Sequence, residues 1–174
     1  MRRWRVSARC WRDEPMRRQL SDGFELDDDP EQIDAAAVHA FISGQSYWGR
    51  ERSLELVQRS IQGSSRVVGL YLDGAQVGFA RAVSDGVTIA YLADVYVLEE
   101  HRGRGLGLEL LHEILNGDWG PEVRWMLHTA DAGELYLKLG FDELRRPRLE
   151  LGRVIYAPRR YPVFERGPGY DSRA

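Results

Sequence analysis

A chain of 174 residues with 43% hydrophobic and 29% charged residues is ordinary for a single globular domain with a real core. Its net charge of −3 excludes a general attraction to nucleic acid or anionic membrane, and its single cysteine, Cys10, excludes an internal disulfide. No stretch approaches the roughly 18 apolar residues of a membrane span, and no apolar segment follows the basic start as a signal peptide requires, so a cytoplasmic setting is expected.

Residues 1–22 are rich in arginine and lack a stable period. They are read as an N-terminal arm, ordered or disordered. Met16 offers an alternative start that would leave residues 1–15 outside the functional chain. Phe24-Glu25-Leu26 alternates as a short strand does. Asp27 to Asp29 followed by Pro30 predicts a helix start, and Ile33, Ala36, Ala37, Ala40 and Phe41 carry that helix to about Ile42. Tyr47 and Trp48 form an aromatic turn that either plugs the gap between helices or lines a substrate pocket. A second helix is predicted over 51–61, with Leu54, Val57 and Ile61 on one face.

The period then changes from helical to extended. Residues 66–72, 76–83 and 88–98 read as three strands, with Asp73-Gly74 and Asp85-Gly86 as hairpin turns. Strands joined so tightly are antiparallel neighbours. A third helix over 105–116 buries Leu106, Leu110, Leu111 and Ile114. A strand over 123–129, a helix over 132–139, an extended segment from Phe141 and a last strand over 153–157 follow. Residues 158–174 form a Pro-, Gly- and Arg-rich tail. The divisions expected are an arm over 1–22, one domain over 23–157 and a tail over 158–174.

Between the third strand and the third helix lies His101-Arg102-Gly103-Arg104-Gly105-Leu106-Gly107. A glycine-rich turn at a helix start presents backbone N–H groups to an anion, and the flanking arginines add charge-assisted donors. Alone, it is equally an ordinary turn. It lacks the Gly-x-x-x-x-Gly-Lys of a phosphate-binding Walker loop, and the antiparallel meander before it rules out a dinucleotide βαβ unit.

Arg102-Gly103-Arg104-Gly105-Leu106-Gly107 matches Arg/Gln-x-x-Gly-x-Gly/Ala, and here the chain resembles the GNAT family of N-acetyltransferases. Leu92 to Val97 is similar to that family's preceding strand, and Thr129 to Phe141, with Tyr136 inside a helix ending in Gly140-Phe141, resembles its later motif. The resemblance covers about residues 24–157. It implies an α/β (α+β) fold with a mixed, mostly antiparallel central sheet flanked by about four helices. It further implies acetyl-CoA as co-substrate and direct transfer to a primary amine in a ternary complex, without an acyl-enzyme. A noncatalytic acyl-CoA-binding regulatory module is the alternative.

Under that resemblance, Val95, Tyr96 and Val97 hold the pantetheine arm, and Arg102, Gly103, Arg104, Gly105, Leu106 and Gly107 hold the pyrophosphate. Tyr136 is the expected acid for the departing thiolate. Asp94 is read as a general base, as a charge that orients a cationic substrate, or as a structural partner; Glu25, Asp85 and His128 stand in reserve. Tyr47 and Trp48 are placed at the acceptor, with the first two helices and the loop after Phe141, and a small-molecule amine is favoured. No cluster has metal-ligand spacing. Neither nucleic acid nor membrane is expected as a partner, and open sheet edges leave a homodimer open.

Overall fold

The computed structural model describes residues 15–143 and 155–158. Residues 1–14 of the N-terminal arm, Cys10 among them, the loop over 144–154 and the tail after Pro158 lie outside the described residues.

One eight-stranded sheet organises the chain. Its strands are β1 (Arg17–Gln19), β2 (Phe24–Asp27), β3 (Arg66–Leu72), β4 (Ala75–Ser84), β5 (Ile89–Val97), β6 (Arg124–His128), β7 (Phe141–Glu143) and β8 (Ile155–Pro158). Their order is β1-β2-β3-β4-β5-β6-β8-β7. Among the described residues only β5 and β6 pair in parallel, which follows from the helical crossover between them. The helices are α1 (Ala35–Gly44), α2 (Leu54–Gln62), α3 (Leu106–Leu115) and α4 (Gly133–Lys138). The mixed, mostly antiparallel sheet with four helices is the fold the resemblance implies.

The sheet separates two cores. Leu106, Leu110, Leu111 and Ile114 of α3 pack on Val68, Leu70, Ala80, Ala82, Ala90 and Leu92. Burial of each such leucine or isoleucine contributes about 1.5–3 kcal/mol. The smaller core joins Val38, Phe41 and Ile42 of α1 and Val57 and Ile61 of α2 to Val67, Phe79 and Tyr96.

Three elements depart from the sequence reading. Residues 17–19, placed in the arm, form the edge strand β1 on β2. Their charge hid them: Arg17 pairs with Glu25, and Arg18 reaches Glu109 and Glu113 of α3, as suits a protected sheet edge. The first helix does not begin at Asp29-Pro30. Asp29 caps only a single 3₁₀ turn over Pro30–Gln32, and α1 begins after Asp34, whose carboxylate accepts from the Ala36 and Ala37 N–H groups. Ser53 caps α2 by accepting from Leu56 N–H, so that helix starts three residues later than expected and Leu54 is exposed.

A buried ionic network binds the outer strands to α3. Arg66 is 2% exposed; its Nη2 donates to Asp28 Oδ2 at 2.8 Å and Glu113 Oε1 at 3.1 Å, and its Nη1 donates to the Glu113 carbonyl. Asp28 also accepts from the Met16 N–H at 2.6 Å.

Candidate functional site

The site is built where β5 leaves β6. The two strands pair only through Ile89↔Arg124, Ala90↔Trp125 and Tyr91↔Met126. Beyond that point β6 turns to β8, with Leu127↔Tyr156 and His128↔Ile155. The β5 edge past Tyr91 therefore has no β6 partner.

At the same place β5 bulges against β4. Phe79 pairs with Tyr96 and Arg81 with Ala93, so Ala80 faces two residues, Asp94 and Val95. Asp94 takes φ +52, the left-handed region that aspartate tolerates better than most side chains. The extra residue reverses the alternation of faces. Ala90 and Leu92 face the large core before the bulge, and Val95 and Val97 take over that face after it, while Tyr96 enters the smaller core.

Four donor contacts hold Asp94 in the bulge. Arg52 Nη1 donates to Oδ1 at 2.7 Å and Oδ2 at 2.8 Å, Arg81 Nε to Oδ2 at 2.6 Å, and Trp48 Nε1 to Oδ1 at 3.1 Å. Burial alone would raise this carboxyl, but Arg81 and then Arg52 overcome it and hold it below its ordinary value. An ionised carboxylate offers about four lone-pair positions, and these donors occupy that capacity. The geometry fits the structural-partner reading of Asp94.

The glycine-rich turn follows β5. A 3₁₀ turn over Glu99–His101 leads into Arg102, whose Nε donates to the Val97 carbonyl at 2.9 Å. Gly103 and Gly105 adopt φ +77 and +79, and a Cβ at either would meet nothing within 4 Å, so the turn is open to an incoming group. Gly105 caps α3, accepting from Leu108 and Glu109 N–H through its carbonyl. The N–H groups just before these lack an intrahelical acceptor, as at any helix start. Arg104 is exposed beside them. Leu106 is buried in the large core, which leaves its backbone alone to face a ligand.

Helix α4 packs into the large core, and its Leu135 side chain lies 3.7 Å from where a Cβ at Gly107 would stand. Tyr136 is 6% exposed and meets Phe141 edge to face at 5.8 Å. Burial pushes its phenol above the ordinary value, and neighbouring Tyr47, Asp131 and Tyr91 act in the same direction. The Tyr47 hydroxyl accepts from the Ala130 N–H at 2.7 Å, and the Tyr47 ring meets Trp48 edge to face at 4.9 Å. The α1–α2 turn is thus joined to the end of β6. Tyr91 and His128 share a hydrogen bond of 2.7 Å across the point where the strands part.

Tyr96 is the expected site residue whose side chain goes elsewhere. It stacks on Phe41 at 3.9 Å in the smaller core, so only its backbone belongs to the strand edge. The reserve carboxylates are committed to local structure. Asp85 caps its turn through Thr88, Val87 and Ile89, and Glu25 pairs with Arg17 at the far end of the sheet. His39 bonds the Arg52 carbonyl at 3.0 Å. Arg52 and Arg81 were not anticipated. Arg81 carried a signal, because an arginine in the apolar run Gly78-Phe79-Ala80-Arg81-Ala82-Val83 needs a partner; Arg52, in a polar turn, carried none. Among the described residues, no group of three or more His, Cys, Asp or Glu side chains is placed to hold a metal ion, and no helix is long and apolar enough to cross a membrane.

Comparison with known proteins agrees with this geometry. A family model described as an acetyltransferase (GNAT) domain matches residues 63–143, from the end of α2 through β7. A Gibberella zeae protein assigned by name to the acetyltransferases is 34% identical over 140 residues, covering 67% of this chain and 78% of its own. A Xanthomonas campestris crystal structure assigned to the GNAT family is 36% identical with a TM-score of 0.69, covering 75% of this chain and 92% of that one. The fold alone is shared with N-acetylglutamate synthase from Neisseria gonorrhoeae, a structure complexed with coenzyme A and L-arginine. That likeness has 19% identity and a TM-score of 0.59, over 84% of this chain and 33% of that one. With the glycine turn, the bulged strand and the tyrosine helix in their places, the chain belongs to the GNAT family of acetyltransferases.

Proposed function

We propose that this protein transfers an acetyl group from acetyl-CoA to the primary amine of a small molecule, by direct attack in a ternary complex. The observation that carries this reading is the β5 edge around the Asp94 bulge, where Val95 to Val97 have no strand partner on the β6 side and lie next to the open turn at Gly103 and Gly105. An extended ligand arm adds to such an edge by main-chain hydrogen bonds. The turn and the start of α3, with Arg102 to Gly107, then receive the pyrophosphate. Coenzyme A in the fold-sharing synthase supports the choice of ligand.

Positioning supplies much of the rate in such a transfer, because thioester and amine are held together and the carbonyl oxygen meets a backbone donor of the bulged strand. Attack of the neutral amine on the thioester carbon forms the amide C–N bond and breaks the C–S bond. Tyr136 gives its proton to the departing thiolate, and its raised pKa keeps that proton in place at neutral pH. With its oxygens committed to Arg52, Arg81 and Trp48, Asp94 acts as a positioning residue that fixes the bulge. Proton removal from the amine falls to the Tyr91–His128 pair.

Calorimetry with acetyl-CoA, followed by an amine panel read by free coenzyme A release and product mass, tests the reading. Binding followed by an acetylated amine is expected. Binding without transfer to any amine favours the regulatory-module alternative, and absence of binding removes both.

A further inference from the structure

We propose that the acceptor amine also carries a carboxylate, recognised by Arg52 and Arg81. This rests on the amine-acetylating reading above and names its substrate class.

The inference starts from unequal use of hydrogen-bonding capacity. Asp94 receives four donor contacts, between 2.6 and 3.1 Å, and has no lone-pair position left for a cationic substrate. The arginines are not so exhausted. On Asp94, Arg52 uses Nη1 and Arg81 uses Nε, out of five N–H donors on each guanidinium. Their side chains keep 28% and 13% of their exposure, while that of Asp94 keeps 2%. The part of the cluster that solvent or a substrate can reach is therefore the guanidinium part.

Charge gives the same answer. Two guanidiniums against one carboxylate leave one positive charge on a partly buried cluster, where it is screened less than at an open surface. It lies beside the aromatic turn: Trp48 Nε1 donates to Asp94 at 3.1 Å, and Trp48 meets Tyr47, whose hydroxyl accepts from the Ala130 N–H past the end of β6. Asp131, which acts on the Tyr136 phenol, is exposed and bonded by Thr129, so water screens it.

A guanidinium edge matches a carboxylate in two parallel hydrogen bonds. One excess positive charge also matches one carboxylate better than a phosphate monoester of roughly −1.5 to −2, and it repels a polyamine. The aromatic turn at Tyr47 and Trp48 supplies apolar wall beside this charge. An amino acid, rather than an aminoglycoside or a spermidine-like amine, has the required combination.

The experiment uses the full chain. L-α-amino acids and ω-amino acids are compared with their carboxamides, their decarboxylated amines, phosphoethanolamine and spermidine, by free coenzyme A release. In parallel, calorimetry of each free acid and its carboxamide on the coenzyme A-loaded protein reads recognition without turnover. Expected is at least a tenfold higher kcat/KM for free acids than for the matching carboxamides, carried by KM, with the same order in the binding data. Arg52→Gln is expected to bring that ratio towards one, its melting temperature and acetyl-CoA affinity showing that the variant is folded. Equal use of acids and carboxamides, or preference for phosphoethanolamine or spermidine, overturns the inference and leaves the acetyltransferase reading standing. Transfer to no amine overturns the acetyltransferase reading, while the calorimetric comparison still decides whether the arginine cluster selects a carboxylate.

Discussion

Arg81 Nε lies 2.6 Å from Asp94 Oδ2 across the β4–β5 pair, at the one place where their register slips. The ion pair and the bulge depend on each other. The bulge brings the Asp94 carboxylate to the arginines, and the arginines offset the cost of holding a side chain at φ +52, about 1–2 kcal/mol. The strand edge required by the proposed chemistry thus rests on a charge cluster, where packing alone would leave a buried carboxylate uncompensated.

Asp94→Asn tests this dependence. Asparagine tolerates the left-handed region as aspartate does, so the substitution removes charge with little change in backbone strain. Two arginines are then left without their counterion, and a loss of about 3 kcal/mol is expected at pH 7, on the scale of a broken buried pair. The carboxyl is depressed in the folded state, so its contribution is present above the ordinary value of 3.8 and is lost as pH falls below that through the folded value. Urea unfolding at pH 7 and pH 3 is expected to show a wide gap between variant and parent at pH 7 and a smaller one at pH 3. An equal gap at both would remove the charge argument.

Gly105→Val separates ligand contact from stability. The added side chain meets nothing within 4 Å in the protein, so the folding cost comes from φ +79 and amounts to about 1–2 kcal/mol. The same side chain stands in the space assigned to the pyrophosphate. Acetyl-CoA affinity measured by calorimetry is expected to fall at least tenfold while the protein remains folded. An unchanged Kd would move the pyrophosphate off this turn.

Much of this geometry was legible in the sequence because it is encoded locally. Alternating apolar residues around Asp73-Gly74 and Asp85-Gly86 specify the β3–β4–β5 meander, and Leu106, Leu110, Leu111 and Ile114 specify the buried stripe of α3. The glycine turn and the Tyr136 helix were legible as motifs. What escaped is long-range and ionic. Arg52 meets Asp94 over 42 residues and Arg66 meets Glu113 over 47, and no period in the sequence announces either pair. Strand β1 escaped because a charged edge strand lacks the apolar alternation by which strands are read. The start of α1 was misplaced because Asp29 and Asp34 are both good caps, and only Asp34 precedes a continuous helix.

Tyr136→Phe keeps the ring that packs on Phe141 and removes only the hydroxyl. Turnover is expected to fall by about 10²–10⁴, the range of a lost general acid, while the acetyl-CoA Kd stays within twofold. Because the phenol is raised above its ordinary value of 10.0, it remains protonated across the working range. Turnover of the parent is therefore expected to show no alkaline decline from this group below pH 10. Unchanged kcat in the variant would leave Tyr136 as a packing residue.

Arg66→Ala addresses the second ionic cluster, far from the proposed chemistry. Removing the guanidinium strands Asp28 and Glu113, which are 4% and 7% exposed, without their shared cation. It also removes a donor from the Glu113 carbonyl near the end of α3, while the Ile114 carbonyl keeps the Trp119 indole N–H, and it leaves a cavity. The expected loss is about 3–5 kcal/mol. The double variant Asp28→Asn/Arg66→Met should recover part of it by filling the volume and removing one stranded charge, although Glu113 retains only Arg18. Chemical unfolding of the single and double variants measures both effects. If Arg66→Ala costs under 1 kcal/mol, the carboxylates have found water, and the tie between the outer strands and α3 is made by the apolar core alone.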